Sequence, residues 1–245
     1  MSNKKKMTIL DFKKYKEEGR KFSFVTAYDY TTASIVDESD NEIILVGDSL
    51  GMIMLGYDST VPVTMEDMIH HIKPVVKGAP NTFIIGDMPF GSYNESIEQA
   101  IHNATRLTKE TNCDCVKLEG GATVVETVRA IVKAGVNVMG HIGLTPQTAS
   151  SVGGFKVQGG TPESALQLIK DAKALEEAGA FAIVLECVPV GVGKAVSEAV
   201  QRSLRLGMKR PDFRKVNLAP EQSVQGAAQF VADNILGIFG PEDLL

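Results

Sequence analysis

Short apolar runs recur along this chain, each followed by an amphipathic stretch, and that alternation limits the folds open to it. "KFSFVTAYD" (21–29), "EIILVGDS" (42–49), "TFIIGDMPF" (82–90), "CVKLEGG" (115–121), "VNVMGHIG" (136–143) and "FAIVLECV" (181–188) read as strands. Helical patterns lie between them. A short one runs through Ala33–Asp37, and 63–79 carries an apolar stripe at Met65, Met68, Ile69 and Ile72 until Pro74 interrupts it. Further helices are expected over 94–110, over 123–135 with Gly135 at its end, and over 161–180, which opens on Thr161 and Pro162. Repeated β-then-α units imply a parallel sheet with helices outside.

Two parallel architectures satisfy that pattern, the closed barrel and the open doubly wound sheet. A dinucleotide-binding sheet places a glycine fingerprint after its first strand, and "AYDYTTAS" carries none. "GVGK" (191–194) lacks the first glycine and the hydroxyl residue of a phosphate loop. A chain of 245 residues has the usual length of a single α/β barrel, with 1–20 as an N-terminal segment.

The C-terminal end of each strand carries a residue able to do chemistry. The first ends in Asp29, the second in Asp48 and Ser49, and the third in Asp87. The fourth carries Lys117 and Glu119, the fifth His141 and the sixth Glu186. Strand alternation sends Lys117 and Glu119 to one face, opposite Val116 and Leu118. In a barrel all these ends share one rim, where active sites of the fold are built. Carboxylates gathered there repel one another, so some must protonate or a cation must sit among them. Asp48, Asp87 and Glu119 are hard oxygen donors with no Cys/His cluster beside them, which favours Mg²⁺ over zinc, Mn²⁺ remaining open. A partly filled Mg²⁺ shell suits an α-keto acid, with Lys117 neutralising substrate charge and Glu186 free as a base.

Taken singly, each residue has an ordinary explanation. An Asp after a strand caps the next helix, Lys117 and Glu119 form an ion pair, and His141 bonds to backbone. Recurrence at equivalent places in successive units favours the functional reading. His70, His71 and His102 lie on expected helices and are read as structural. The glycine-rich connection 143–163 is long enough for a lid, with a plain surface loop as the alternative.

The net charge of −5 argues against a nucleic-acid partner. No apolar run is long enough to span a bilayer, and the basic start "MSNKKKMTIL" is not followed by a signal-peptide core. Three cysteines without spaced pairs fit a reducing, cytoplasmic setting, with Cys113 and Cys115 expected as buried thiols.

"VTAYDY", "VGDSLGM", "DSTVPVT", "GDMPFGSY", "VKLEGG", "GHIGLTPQ", "GGFKVQG" and "LECVP" follow one another in the order seen in ketopantoate hydroxymethyltransferases, and from about 20 to about 190 the chain resembles that family. The resemblance implies a (β/α)₈ TIM barrel of the phosphoenolpyruvate-mutase/isocitrate-lyase type and a homo-oligomer, a decamer in the family. It implies transfer of a hydroxymethyl group from 5,10-methylenetetrahydrofolate to 3-methyl-2-oxobutanoate, giving 2-dehydropantoate for pantothenate biosynthesis. On these motifs Asp48 and Asp87 are implied as Mg²⁺ ligands within the substrate site, with Glu119 completing or supporting the shell. Ser49 and Lys117 are implied as substrate contacts, His141 as a hydrogen-bonding wall and Glu186 as the proton acceptor.

The likeness stops near 200. Where the family has a strand ending Gly-Ile-Gly-Ala-Gly, residues 201–229 are basic and poorly patterned for a buried strand. Six barrel strands therefore read clearly, 201–245 is divergent, and "RKVNLA" (214–219) is a candidate substitute strand. Three functions stay open: the hydroxymethyltransferase, a related α-keto-acid lyase or mutase, and a barrel that binds without catalysing. The strand-end set favours the first.

Overall fold

The computed structural model describes residues 4–200 and 204–208. Each apolar run of the sequence becomes a parallel strand: β1 (Phe24–Thr26), β2 (Ile43–Val46), β3 (Phe83–Asp87), β4 (Cys115–Glu119), β5 (Val138–Gly143) and β6 (Ala182–Glu186). A seventh, β7 (Leu204–Met208), pairs in parallel with β6, and the sheet order is the chain order, β1 to β7. The connections are helical. In chain order they are α2 (Tyr30–Glu38), α3 (Leu50–Ile53), α4 (Met65–Gly78), α5 (Ile97–Thr111), α6 (Val125–Lys133), α7 (Pro162–Ala178) and α8 (Val190–Ala199), preceded by α1 (Ile9–Glu17). This is an α/β barrel-like fold, a curled parallel sheet wrapped by helices.

Strand alternation divides the core in two. Ile44, Val46, Ile84, Val116, Leu118, Val138, Ile183 and Leu185 pack outward under the helices. Ile43, Leu45, Phe83, Ile85, Cys115, Met139, Ala182 and Val184 fill the interior. Burial on both faces is why the runs read as nearly continuous apolar sequence. Phe12 of α1 is fully buried with that interior set, its ring 5.3 Å from those of Phe22 and Phe83. Phe22, Phe83 and Phe181 all lie at strand starts, so α1 closes the N-terminal end of the sheet and leaves the opposite rim for a site.

Two sequence expectations need correction, and one helix went unread. Residues 201–229 were expected to lack strand pattern, yet Leu204–Met208 continue the sheet. "LRLGM" alternates well enough; its basic flanks hid it. Pro74 does not end its helix, because α4 runs on to Gly78. A proline there costs about 3 kcal/mol, but the buried face continues through Val75, and Gly78 meets α2 so closely that a Cβ would lie 2.5 Å from the Tyr30 carbonyl. The N-terminal segment holds α1, whose signal was the capping box of Thr8 and Asp11. The eighth strand expected of a closed barrel, and the candidate "RKVNLA", fall outside the described residues. "GVGK" falls inside α8, and among the described residues no helix is long and apolar enough to cross a membrane.

Candidate functional site

Along the interior face of each strand, apolar side chains give way to ionisable ones toward the C-terminal end. On β3 Ile85 is followed by Asp87, on β4 Cys115 by Lys117 and Glu119, on β5 Met139 by His141, and on β6 Val184 by Glu186. Asp48 follows β2. Register sets Asp87 beside Lys117 and Glu119 beside His141. The outcome is a polar layer on top of an apolar interior, with Asp48, Asp87, Lys117, Glu119, His141 and Glu186 each 5% exposed or less. Asp29 stands apart: its carboxylate caps α2 by accepting from Thr32, the ordinary role for an Asp after a strand.

The Lys117 ammonium donates to both oxygens of Asp87, at 2.6 and 2.7 Å, and lies 3.7 Å from Glu119. Burial works against its charge, but Asp87, Glu119 and Asp48 hold its pKa above the usual lysine value. His141 sits between two carboxylates, Nδ1 3.3 Å from Glu119 and Nε2 3.3 Å from Glu186, neither aligned for a strong hydrogen bond. Burial opposes an imidazolium there; Glu119 and Glu186 nevertheless carry the pKa up to about 9. Glu119, despite its burial, is held below the usual range by His141 and Lys117.

Among the described residues Asp48 makes no ion pair. Burial and the neighbouring Asp87 push it up to about 8, and Asp87 itself is raised, chiefly by burial. Among the described residues, even with His141 charged, the four carboxylates exceed the two cations by two charges. Such a layer must hold protons or accept a further cation.

Ser49 lies at the rim, its hydroxyl 2.8 Å from that of Tyr28, whose carbonyl is 2.7 Å from His71 Nδ1. Gly143 ends β5 at φ +90, where a Cβ would stand 2.3 Å from the Glu186 carbonyl, so only glycine lets the two strand ends close.

Three residues of the layer escaped the sequence reading: Tyr28, Tyr93 and Gln147. Gln147 comes from the long connection after β5, whose first half is a 3-10 segment (Pro146–Val152), and is 3% exposed. It reaches Asp48, Met88, Tyr93 and Glu119 at once. A polar residue in a glycine-rich loop gives no periodic signal, and its place in the quoted "GHIGLTPQ" was the one clue. Cys113 and Cys115 are buried free thiols, as expected, with pKa raised by burial.

Among the described residues no three His, Cys, Asp or Glu side chains stand together as a ready metal shell. Asp48 and Asp87 are adjacent, the Asp48 amide donating to Asp87 Oδ2 at 3.2 Å. Glu119 instead turns one oxygen to His141 and Lys117 and the other to the Gln147 amide.

Residues 6–204 match the family model described as ketopantoate hydroxymethyltransferase. A 3-methyl-2-oxobutanoate hydroxymethyltransferase of Heliobacterium modesticaldum is 60% identical over 80% of this chain and 71% of its own length. One of Clostridium novyi is 57% identical over the same shares of each. Among solved structures, 2,3-dimethylmalate lyase, a PEP mutase/isocitrate lyase superfamily member, covers 95% of this chain and 87% of its own at a TM-score of 0.62. At 14% identity that likeness speaks for the fold alone.

Proposed function

The chain belongs to the ketopantoate hydroxymethyltransferase family, and from that premise we propose how its buried polar layer carries the reaction. It is an enzyme, a hydroxymethyltransferase. Its substrate is 3-methyl-2-oxobutanoate, the keto acid in the names of its relatives, and its product belongs to pantothenate biosynthesis. The one-carbon donor in this proposal is 5,10-methylenetetrahydrofolate. The observation that carries the reading is the convergence of Asp48, Asp87, Lys117, Glu119, His141 and Glu186, all buried, at one end of the sheet.

A new C–C bond at C3 of the keto acid requires the C3 proton to leave. Glu186 takes it as general base, and His141 beside it holds that carboxylate in place. Water adds to the donor's methylene and both of its C–N bonds break, giving formaldehyde and tetrahydrofolate. The enolate carbon then adds to the formaldehyde carbonyl, and the oxygen takes the proton from the Glu186 carboxyl to become the hydroxyl. Ser49, Lys117 and His141 receive the keto acid. Lys117 also keeps Asp87 ionised by donating to both its oxygens.

The donor set fits Mg²⁺: two adjacent hard carboxylates, Asp48 and Asp87, in a layer with an excess of negative charge that drives Asp48 up to about 8. Glu119, engaged by His141, Lys117 and Gln147, would support that pair rather than complete a shell. Bound there, Mg²⁺ supplies Lewis-acid polarisation of the keto-acid carbonyl.

The reading extends to a cytoplasmic homo-oligomer. Reduced thiols support the first part, and the exposed run Met52, Ile53, Met54 and Leu55 after β2 supports the second.

Asp87→Asn tests the metal assignment. The variant should fold, since the amide still accepts from Lys117, yet lose Mg²⁺ affinity by titration calorimetry and lose hydroxymethyl transfer. Parental affinity and turnover would remove Asp87 from the ligand set.

A further inference from the structure

We infer that Gln147 is a positioning residue: it clamps the β5–α7 connection onto the rim and fixes the rotation of the Asp48 carboxylate. The inference rests on the functional reading above.

Its geometry leaves one arrangement of the amide. Nε2 donates to Asp48 Oδ2 at 2.8 Å and to the Met88 carbonyl at 2.9 Å, which uses both its protons. Oε1 accepts from the Tyr93 hydroxyl at 2.5 Å. The single Tyr93 proton goes to Oε1, far the shorter contact, rather than to the Glu119 carbonyl at 3.3 Å, while the Tyr93 oxygen accepts from the Glu119 amide at 3.2 Å. Turning the Gln147 amide over would set its oxygen against the Met88 carbonyl, an acceptor with no proton to give. The Gln147 backbone N–H meanwhile donates to Glu119 Oε2 at 3.1 Å.

One residue thus joins β2, β3 and β4 at their C-terminal ends, and it comes from a segment outside the sheet. The same connection is tied to β6 by Leu144 N–H on the Glu186 carbonyl and Gln158 N–H on the Cys187 carbonyl, each at 2.8 Å. Beyond Gln147 the connection turns outward, with Phe155 and Val157 more than half exposed. The connection cannot lift from the mouth without releasing Asp48. A directional hydrogen bond to one oxygen fixes the plane of a carboxylate, and partners of this kind tune a ligand's affinity by about 10–100-fold.

Gln147→Leu keeps the bulk and removes both donors; Tyr93→Phe removes the bond to Oε1 and the one the Tyr93 oxygen accepts from the Glu119 amide. In hydrogen exchange by mass spectrometry, on the full chain without added metal, the peptide spanning 144–158 should exchange at least about tenfold faster in Gln147→Leu. Tyr93→Phe should give a smaller rise, and in Gln147→Leu the peptides of β2 to β4 should not change. In the keto-acid proton-exchange reaction, the Mg²⁺ concentration for half-maximal rate should rise about 10–100-fold, with the parental KM for the keto acid at saturating Mg²⁺. Faster peptide exchange with a parental Mg²⁺ midpoint would make Gln147 a structural tie and overturn the positioning role. So would parental values of both. If Gln147→Leu does not fold, Tyr93→Phe decides by the same two readings. A parental enzyme without Mg²⁺-dependent exchange would instead sink the functional reading, and the peptide comparison would still judge the clamp.

Discussion

Replacing Lys117 by methionine is expected to cost about 3–5 kcal/mol of folding stability near pH 8 in the presence of a chelator. The methionine fills the same space, so the loss is electrostatic. Lys117 is 2% exposed and neutralises Asp87 through both its oxygens. Without it Asp48, Asp87 and Glu119 share one buried volume with His141 as the nearest cation among the described residues. The pH dependence follows from the direction of the carboxylate shifts. Asp48 and Asp87 have folded pKa values above their usual 3.8, Asp48 at about 8. A raised folded pKa means that the native state holds the proton more tightly. The associated stability is complete at pH below 3.8 and is lost as pH rises through the folded value. The Lys117→Met deficit should therefore be shallow at pH 4, where Asp87 protonates in place of its lost partner, and deep at pH 8. Urea unfolding across that range reads it directly. A deficit under about 1 kcal/mol, or one that does not grow with pH, would contradict the idea that Lys117 is the internal counter-ion of the layer.

Glu186→Gln should leave the fold intact and lower the rate of keto-acid proton exchange by about 10²–10⁴-fold. The amide occupies the same volume and can still face His141 Nε2, so packing at the end of β6 has no reason to change. What disappears is the lone pair able to take a proton. Binding of the keto acid, followed by calorimetry, should persist, which separates a lost base from a damaged pocket. Parental exchange in the variant would assign the base elsewhere.

Much of this arrangement was legible before any coordinates. Six strands, five of them buried on both faces, announced themselves as apolar runs, and the interior ionisable residues stood out because they broke those runs at the same end each time. Lys117 and Glu119 are the clearest case, since strand alternation alone set them on one face, and that face is the barrel interior. The less legible parts share a physical cause, the lack of a periodic signal. β7 is five residues long within a basic stretch. α1 buries only Phe12, so its amphipathic pattern is faint. Gln147, Tyr28 and Tyr93 reach the polar layer from loops, where side-chain direction is set by tertiary contacts rather than by spacing. Pro74 misled in the opposite sense: a strong local rule gave way to the packing of α4 against its neighbours. Glu119 shows the limit for chemistry, because a sequence cannot say that His141, Lys117 and Gln147 already engage its carboxylate.

The central claim is that this layer enolises a keto acid with help from a divalent cation. The protein is incubated with 3-methyl-2-oxobutanoate and Mg²⁺ in D₂O, and loss of the C3 proton is followed by NMR, with and without EDTA and without any folate. The account predicts exchange that needs both the protein and the metal and that stops when EDTA is added. Absence of exchange from a folded sample, or exchange that continues unchanged in EDTA, would contradict it.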